Sequence, residues 1–405
     1  MEFNLSSLPP RVFELGKRTA KNCTKLVTSL SLNELGSIGL LLSSLIAFAC
    51  VYVLIFPKFH PLAVNDNLPK TIPWNNHCNV YEGRWVPDES YPLYNASLCP
   101  FAESGFNCLA NGRRDEGYTK WRWRPHDCEI PRFDPGKMLM LLRGKRVVFV
   151  GDSLGRSQWE SLICMLMTAV EDKRSVYEVN GNKITKRIDF LGVFFSSFNI
   201  RIDFYRSVFL VKHGSAPKHA PKRVKSSIVL DKLDDLSHEW IRSDVLVLNT
   251  GHWWNRNKLF EMGCYFQMRG ALKLGMPINV AFRNVLKTLA SWAETSLNRN
   301  RTQVFFRTFE ASHWSGRSGM KCKVTKRPLV HASRRGRSSF SGAIIEMMKK
   351  MTVLHVTPLS AYRSDGHVGK WGDDPSKPDC SHWCLPGVPD TWNEILLAHL
   401  SSSSL

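Results

Sequence analysis

The sequence lacks several features that would assign it to common functional classes. It contains no glycine-rich fingerprint of a nucleotide-binding loop, so a bound nucleotide cofactor is not expected. No two Cys-x-x-Cys pairs follow each other at zinc-finger spacing, and a metal site is not expected either. Internal repeats are absent, and low complexity is confined to Ser401–Ser404, so a repeat architecture is not expected.

Acidic residues are also few. The chain of 405 residues has 55 Lys and Arg but 35 Asp and Glu, a formal net charge of +20 at pH 7. A basic chain attracts polyanions, and an acidic polysaccharide, a membrane surface and plain solubility are three interpretations of this charge. With 43% hydrophobic residues, the chain has enough apolar side chains for one large core or two fused lobes.

An uncharged apolar run lies near the N-terminus. Ile38–Phe56 comprises nineteen residues rich in Leu, Ile, Val and Ala, which is long enough to span a bilayer. It has no small-residue cleavage site, and more Lys and Arg precede it than closely follow it. It therefore predicts an uncleaved signal-anchor with residues 1–37 in the cytosol, a stem over 57–75 and a luminal remainder. A buried soluble helix is the alternative. A luminal domain excludes nucleic acid as a partner.

Nine of the eleven cysteines follow that segment. Cysteine at this density in a luminal domain predicts disulfides, and the odd number leaves at least one thiol free. The sequons that begin at Asn95 and Asn300 are predicted glycosylation sites. The sequons at Asn4 and Asn22 fall in the predicted cytosolic tail and are expected to stay unmodified.

Residues 76–137 are rich in Trp, Tyr, Pro and Cys and show no sustained helical period. This composition predicts a loop-rich lobe held by disulfides. Its aromatic residues either form the core of the lobe or stack on the C–H faces of sugar rings. Interleaved arginines such as Arg113 and Arg122 either bind substrate or hold the lobe to the main domain by ion pairs.

From residue 138 to residue 400 the pattern is that of an α/β domain. Apolar runs separated by helical patterns are typical of a parallel sheet. The predicted strands are Val147–Val150, Val176–Val179, Ile188–Leu191, Val193–Phe198, Ile200–Arg206, Val208–Val211, Val245–Asn249, Val304–Thr308 and Val353–Val356. The predicted helices are Leu154–Val170, Leu233–Arg242, Met276–Ser296, Ser341–Met351 and Thr391–Leu400. Stronger alternation over 176–211 predicts an antiparallel insertion, and Lys212–Lys225 predicts a basic loop.

One stretch organises this domain. Val147–Val150 is a β-branched apolar run, Gly151-Asp152-Ser153 breaks it, and a helical pattern starts at Leu154. A serine at such a strand-to-helix turn lies at the carboxyl end of the sheet, near backbone N–H groups that can stabilise an oxyanion. The alternative is that Ser153 only caps the helix.

A second stretch, Asp379-Cys-Ser-His382, lies just before the last predicted helix. A serine hydroxyl is a poor nucleophile until a histidine takes its proton, and a carboxylate must orient that histidine. Asp and His three residues apart can meet through a turn, so Ser153, His382 and Asp379 form the predicted catalytic triad. His367, close to Asp365, and His252, at a predicted strand end, compete with His382 for the role of the base.

Gly-Asp-Ser after a buried strand, followed by a distant Asp-x-x-His, resembles the GDSL/SGNH hydrolase superfamily. The wider match, from Cys78 to the C-terminus, resembles the plant trichome birefringence-like (PC-esterase) family of polysaccharide O-acetyltransferases. Its matching residues are Cys78, Gly83-Arg-Trp-Val-Pro-Asp88, Pro92-Leu-Tyr94, Cys99-Pro100, Asn111-Gly-Arg-Arg-Asp115, Tyr118, Trp121-Arg-Trp-Arg-Pro125, Cys128 and Asp379-Cys-Ser-His-Trp-Cys-Leu-Pro-Gly387. This resemblance implies an SGNH-hydrolase-like, three-layer α/β/α domain with a mainly parallel sheet and a disulfide-rich N-terminal lobe.

The resemblance also implies further site residues. The superfamily places an oxyanion-hole asparagine after a strand like Val245–Asn249, although Asn here precedes Gly, unlike the usual order. The implied oxyanion or substrate residues are Gly151, Asp152, Arg156, Asn249, Gly251, His252 and Trp253. Trp254 is a further cleft candidate, and Arg307 and His313 are candidates for supporting or substrate-binding positions. The implied disulfides are Cys78–Cys128, Cys99–Cys164, Cys108–Cys384 and Cys322–Cys380, which leaves Cys264 free.

The implied activity is transfer of an acetyl group, through an acyl-enzyme, onto a hydroxyl of xylan, pectin or another hemicellulose. The resemblance places it in the Golgi membrane as a single-pass type II protein with no bound cofactor. Its co-substrate would be acetyl-CoA or a relayed acetyl group, and membrane proteins of acetyl donation or polysaccharide synthesis are expected partners. A polysaccharide acetylesterase and a non-catalytic, wall-polymer-binding bridging protein are the alternatives.

Overall fold

The computed structural model of the chain describes residues 78–309, 311–315, 321–332 and 338–402. These residues belong to one compact unit, residues 73–405. Within the described ranges, no helix combines the length and the apolar character that crossing a bilayer requires. The predicted signal-anchor and stem, 38–56 and 57–75, lie outside those ranges, as do Asn4 and Asn22.

The regular elements are numbered in chain order. The strands are β1 Gly83–Pro87, β2 Trp121–Pro125, β3 Arg146–Gly151, β4 Val176–Glu178, β5 Phe190–Phe195, β6 Ile200–Arg206, β7 Val211–Ser215, β8 Ser226–Leu233, β9 Val245–Asn249, β10 Cys264–Met268, β11 Ala271–Lys273, β12 Gln303–Arg307, β13 Trp314–Ser315, β14 Lys321–Cys322, β15 Thr352–Leu354, β16 His367–Gly369 and β17 Asp379–Trp383. The helices are α1 Pro135–Leu141, α2 Ser153–Met167, α3 Ser237–Trp240, α4 Ile278–Ser296, α5 Ser339–Met347, α6 Thr357–Ser360 and α7 Val388–Ser402.

A seven-stranded sheet in the order β15-β12-β9-β3-β6-β5-β4 forms the centre of the unit. Neighbouring strands run parallel from β15 to β6, and β5 and β4 are added antiparallel. Strand β3 is central and is buried on both faces, as its unbroken apolar run requires. The predicted parallel sheet with an antiparallel addition is therefore the arrangement found.

The two faces of this sheet bury separate cores. On β3, Val147 and Phe149 pack with α2 and α7 on one side, while Val148 and Val150 pack with α4 and α5 on the other. Alternate residues of a strand point to opposite faces, so one short run supplies both cores. The result is the three-layer α/β/α arrangement.

A second sheet, in the order β11-β10-β8-β7, belongs to the same side as α4. Strands β10 and β8 are parallel, and β7 and β11 pair antiparallel at the two edges. Ile228, Leu230 and Phe266 turn one face of this sheet towards the core that α4 also contacts. Ser227, Val229 and Gln267 lie on the other face, which lines a groove.

The N-terminal lobe is a β1–β2 hairpin with surrounding loops, and hydrogen bonds attach it to the main domain. Trp85 Nε1 donates to the Leu359 carbonyl oxygen over 2.9 Å, and Tyr81 Oη donates to the Val353 carbonyl oxygen over 2.8 Å. Tyr94, Tyr118 and Trp123 are buried. These aromatic residues therefore pack as core.

Several predicted boundaries were wrong, each for a local reason. The predicted strands Ile188–Leu191 and Val193–Phe198 are one strand, β5, because Gly192 pairs with Asp203 of β6 without a break. Val208–Val211 is mostly a turn, in which the Leu210 N–H donates to the Ser207 carbonyl and Leu210 has a φ of +63°.

The second sheet accounts for two further boundary errors. The predicted helix Leu233–Arg242 shortens to α3, because Leu233 pairs with Val211 as the last residue of β8. The first part of the predicted basic loop Lys212–Lys225 is strand β7. Strands β8, β10 and β11 had not been predicted, and neither had α1, whose N-terminus Asp134 caps through its side chain.

Candidate active site

The serine turn joins β3 to α2. Asp152 caps the helix, and its Oδ1 accepts the Leu154 N–H over 3.0 Å and the Asn249 Nδ2–H over 2.8 Å. Ser153 is therefore the first residue of the helix, and Asp152 is the cap. The N–H groups of a first helical turn have no intrahelical carbonyl partner. The Leu154 N–H donates to Asp152, so the Ser153 N–H is the candidate donor to an oxyanion formed beside Ser153.

Two glycines let Asn249 lie beneath this turn. A Cβ atom at either Gly151 or Gly155 would come within 2.0 Å of Asn249 Oδ1, a distance that no real packing tolerates. Asn249 is 4% exposed and its amide holds Asp152. The predicted oxyanion residue thus lies under the turn, where it fixes the aspartate that caps the serine helix.

The structure brings the three predicted triad residues into one hydrogen-bonded chain. Ser153 Oγ lies 2.6 Å from His382 Nε2, and His382 Nδ1 lies 2.6 Å from Asp379 Oδ2. The second carboxylate oxygen, Asp379 Oδ1, accepts the backbone N–H groups of Ser381 at 2.7 Å and of His382 at 3.0 Å. The predicted contact between Asp379 and His382 is found, but both residues lie in strand β17 and not in the expected turn.

The electrostatics of the pair suit a general base. Burial raises the pKa of Asp379, but the hydrogen bonds from His382 and the backbone outweigh it and keep the pKa well below the usual range. Burial lowers the pKa of His382, and the hydrogen bond to Asp379 and its charge outweigh that effect, so the net shift is upward. A charged Asp379 thus stabilises the imidazolium that forms when His382 takes a proton.

An aromatic ring from the lobe packs on His382. The ring of Phe106 stacks on the imidazole at 5.6 Å between centroids and an angle of 27°. The guanidinium of Arg156 lies 5.2 Å from the same phenyl ring. Arg156 is buried and paired with Glu103 and with Glu160, whose Oε1 accepts from Nη1 over 2.7 Å. Arg156 thus supports Phe106 and has its charge compensated.

The two competing histidines have other contacts. His252 stacks on Phe309 and lies 6.0 Å from His382 between ring centroids, and burial lowers the pKa of His252 to about 4. His367 is fully buried, with Nδ1 2.9 Å from the His382 carbonyl oxygen and Nε2 2.7 Å from His313 Nδ1. In the described part of the chain, the histidine that contacts Ser153 Oγ is His382.

The triad opens into a cleft of about 420 Å³. Besides the triad, the residues that line it are Glu103, Gly105, Phe106, Arg156, Lys186, Ile188, Phe204, Arg206, Val208, Trp253, Val368, Gly372, Asp373, Asp374 and Lys377. The predicted residue Trp253 is on this wall, with Lys258 Nζ 4.5 Å from its ring. Gly251 lies behind Phe309, and Trp254 is buried, with Nε1 donating to Thr250 Oγ1.

The cations of the cleft wall are all paired. Lys186 Nζ lies 3.2 Å from Asp373 Oδ2, and Lys377 Nζ lies 3.0 Å from Asp374 Oδ2. Arg206 Nη1 lies 3.7 Å from Asp189 Oδ1, and Arg156 has its two glutamates. Among the described residues, the cations that line the cleft therefore have their charge compensated by carboxylates.

Disulfides surround the triad. The structure joins Cys78–Cys128, Cys99–Cys164, Cys108–Cys384 and Cys322–Cys380, and Cys264 is free. These are the pairs that the family resemblance implied. Cys164 lies on α2, and Cys380 and Cys384 flank His382, so three bridges tie the serine helix or the histidine strand to another part of the chain.

Sequence reasoning missed several contributors to the site. Phe106, Glu103 and Glu160 form its support, and the loop with Asp373 and Asp374 forms one wall. The signal for Glu160 was available, since it follows Arg156 by four residues on one helix face. Phe106 and Asp373 reach the site only through tertiary packing, and no local pattern marks them. Arg307 and His313 are buried away from the cleft wall, Arg307 over Trp392 and His313 against His367.

Comparison with known proteins agrees with this geometry. Residues 130–399 match the model of the PC-Esterase family, described as a GDSL/SGNH-like acyl-esterase family found in Pmr5 and Cas1p, and residues 76–129 match the PMR5 N-terminal domain. The Arabidopsis thaliana protein trichome birefringence-like 7 is 55% identical over 370 residues, which cover 89% of this chain and 83% of that protein.

The chain belongs to the trichome birefringence-like family. A second Arabidopsis thaliana relative, trichome birefringence-like 9, is 38% identical over 386 residues, which cover 90% of this chain and 93% of that protein. Membership in this family and its acyl-esterase domain supports acyl-transfer or ester-hydrolysis chemistry in the broad sense. The exposed side chains of Asn95 and Asn300 remain the predicted glycosylation sites.

Proposed function

We propose that this trichome birefringence-like protein transfers acetyl groups onto hydroxyls of a plant cell-wall polysaccharide through an acetyl-Ser153 intermediate. The observation that carries the proposal is the continuous hydrogen-bonded chain Ser153–His382–Asp379, with the serine at a helix N-terminus on the floor of an open cleft. A chain of this kind activates a serine hydroxyl for acyl transfer.

The reaction proceeds in two halves. His382 Nε2 takes the proton of Ser153 while Oγ attacks the acetyl carbonyl, and the Ser153 N–H at the start of α2 stabilises the oxyanion. The protonated His382 then gives its proton to the leaving group of the donor, which leaves Ser153 acetylated. In the second half, His382 takes the proton of the incoming hydroxyl, which attacks the ester and carries the acetyl group away, and the proton returns to Ser153 Oγ.

The identity of the second acceptor separates transferase from esterase. Water would make the same site an acetylesterase, and a sugar hydroxyl makes it a transferase. A transferase is supported by Trp253 on the cleft wall, because an indole ring suits the C–H face of a sugar. A bridging role without catalysis would not require the Asp379–His382 pair, so that alternative is disfavoured.

The proposed setting is the Golgi membrane, with Ile38–Phe56 as the signal-anchor and the catalytic domain in the lumen. The acetyl donor would be acetyl-CoA or a relayed acetyl group. Detection of the 38–56 peptide in the mature protein, together with glycans on Asn95 or Asn300, would support this topology. A mature N-terminus beyond Phe56 would contradict it.

The decisive assay offers an acetyl donor and unacetylated xylan, pectin, mannan and xyloglucan oligomers to the full-length chain and to Ser153→Ala. Transfer should fall about a thousandfold or more in Ser153→Ala, because only binding and oxyanion stabilisation remain. Ser90→Ala, an exposed serine of the lobe, serves as the matched control and should keep wild-type activity. Near wild-type transfer by Ser153→Ala would end the acyl-enzyme proposal.

A further inference from the structure

The outer face of the second sheet has no covering element among the described residues. Ile228 and Leu230 of β8 and Phe266 of β10 are directed into the core, and the residues that alternate with them are polar or half-buried. Gly214 and Gly270 have open space where a side chain would stand. The outer face therefore carries a strip of mainly polar side chains that also includes Val229.

This strip is a groove of about 520 Å³. Its floor has uncharged hydrogen-bonding groups: Ser215, Ser227, which is 2% exposed, and Gln267. The Ser227 hydroxyl lies 3.4 Å from Gln267 Oε1 and 3.5 Å from the Ser215 carbonyl oxygen. Such long contacts leave room for a ligand hydroxyl to replace them.

Cations line the rim of this groove. Lys212 is paired with Asp235 at 2.7 Å, but Lys232 and Arg269 are exposed and make no ion pair within the described residues. The one carboxylate on the wall, Asp231, accepts the backbone N–H of Arg269 over 2.7 Å. Within the described residues, the exposed side chains of Lys232 and Arg269 therefore form no ion pair, and Asp231 is the one carboxylate on the same wall.

The neighbouring loop adds to this charge. Residues 216–225, between β7 and β8, bring four further cations that also form no ion pair in the part of the chain that the structure describes; they are Lys218, Lys222, Arg223 and Lys225. In the catalytic cleft, by contrast, each cation has a carboxylate partner. Some of the excess positive charge of the chain thus lies along the second sheet.

We infer that this groove is a binding site for a uronate-bearing polysaccharide chain, separate from the site of acetyl transfer. Exposed cations at the rim would pair with the carboxylates, while the serine, glutamine and backbone groups of the floor would bind sugar hydroxyls. The choice of a polysaccharide rests on the proposed function; the groove and its charge do not. The groove would hold an acidic polymer while a hydroxyl of that polymer, or of a neighbouring chain, reaches Ser153.

A membrane surface fits this groove less well. Anionic headgroups present a flat array, and a protein that binds them usually adds exposed apolar side chains. The groove is recessed, and its floor has one apolar side chain, Val229, beside Ser215, Ser227 and Gln267. An extended chain of sugar rings with alternating carboxylates and hydroxyls matches both the recess and the distribution of charge.

The test measures binding of oligogalacturonate to the full-length chain, with a Lys232→Glu/Arg269→Glu double variant. Affinity should fall about fivefold or more, since two attractive contacts become repulsive. Lys287→Glu/Lys349→Glu makes the same change in net charge at two exposed cations outside the groove, and its affinity should stay near wild type. Acetyl transfer to a short neutral oligomer should be unchanged in both variants.

Three results would overturn the inference. Equal losses in the two double variants would mean that only net charge matters. Unchanged binding in Lys232→Glu/Arg269→Glu would mean that the polymer binds elsewhere. The groove would be assigned to a membrane surface if the wild type bound phosphatidylcholine–phosphatidylserine vesicles but not oligogalacturonate, and if Lys232→Glu/Arg269→Glu no longer bound the vesicles. Each readout is independent of acetyl transfer, so failure of the proposed function would be seen separately.

Discussion

The catalytic cleft and the groove of the second sheet differ in how they are held and charged. In the cleft every wall cation has a carboxylate partner, and disulfides anchor both the serine helix and the histidine strand. In the groove Lys232 and Arg269 have no ion pair among the described residues, and the sheet contains the free Cys264. Rigid placement serves the chemistry of the cleft, whereas accessible charge serves polyanion capture in the groove.

The largest expected effect is the loss of acetyl transfer in variants of the catalytic triad, with binding in the groove unchanged. His382→Ala should lose transfer about as completely as Ser153→Ala, because the triad acts as a unit. Asp379→Asn should lose about a thousandfold or more, since His382 would no longer be held in the correct tautomer. Oligogalacturonate binding should be unchanged in both variants. Transfer assays and binding titrations on the same preparations would check this, and a parallel loss of binding would join the two regions.

Reduction of the disulfides should affect the catalytic cleft more than the groove of the second sheet. Each bridge contributes about 2–4 kcal/mol if unstrained, and the short β16–β17 pair has little other structure to hold Asp379 and His382. Activity should therefore disappear at lower reductant than the global circular-dichroism signal, while binding in the groove persists. Activity that survives complete reduction, shown by thiol counting, would mean that the bridges do not position the site.

A smaller effect concerns the buried carboxyl of Glu394 on α7. Burial raises the pKa of Glu394 to about 7, against the hydrogen bond from Tyr91 that lowers it. The folded state thus holds the Glu394 proton more tightly than the unfolded state. The contribution of this proton to the free energy of unfolding therefore falls as pH rises from about 4.5 to about 7. In Glu394→Gln, the fall in the free energy of unfolding over this pH range should be smaller than in the wild type by about 1–3 kcal/mol.

Denaturant titrations at about pH 5 and about pH 8 measure this difference. Glu346→Gln is the matched control, because Glu346 is exposed and paired with Arg283, which lowers its pKa. The control should keep the wild-type dependence over this pH range. A Glu394→Gln variant with the same pH dependence as wild type would show that Glu394 is not protonated in the folded chain at neutral pH.

The sequence predicted the parts of the fold that depend on local pattern. The apolar runs of β3 and β9 and the amphipathic α4 are long periodic segments, and their type and position were recognised from spacing alone. Strands β8 and β10 were missed because their sequences do not differ clearly from those of the neighbouring loops. Strand β8 contains serines, core residues and charged residues in succession, and its partner β10 is distant in sequence. Parallel pairing between such strands leaves no local signal.

The site divides in the same way. Ser153, Asp379 and His382 were predictable because each lies in a short motif whose chemistry requires those residue types. Asn249 was recognised as important, but its amide holds Asp152, which only the close approach to Gly151 and Gly155 reveals. Phe106 comes from a lobe loop and reaches His382 through the Cys108–Cys384 region. Its role required tertiary structure.

The most direct test of the central claim is mass spectrometry of the Ser153 peptide after brief exposure of the full-length chain to p-nitrophenyl acetate and acid quenching. The acyl-enzyme mechanism predicts one acetyl group on Ser153. This group should be absent from His382→Ala, and it should be discharged when an unacetylated polysaccharide acceptor is added before the quench. An unmodified Ser153 in a preparation that still transfers acetyl groups, or an acetyl group on a different residue that the acceptor discharges, would contradict it.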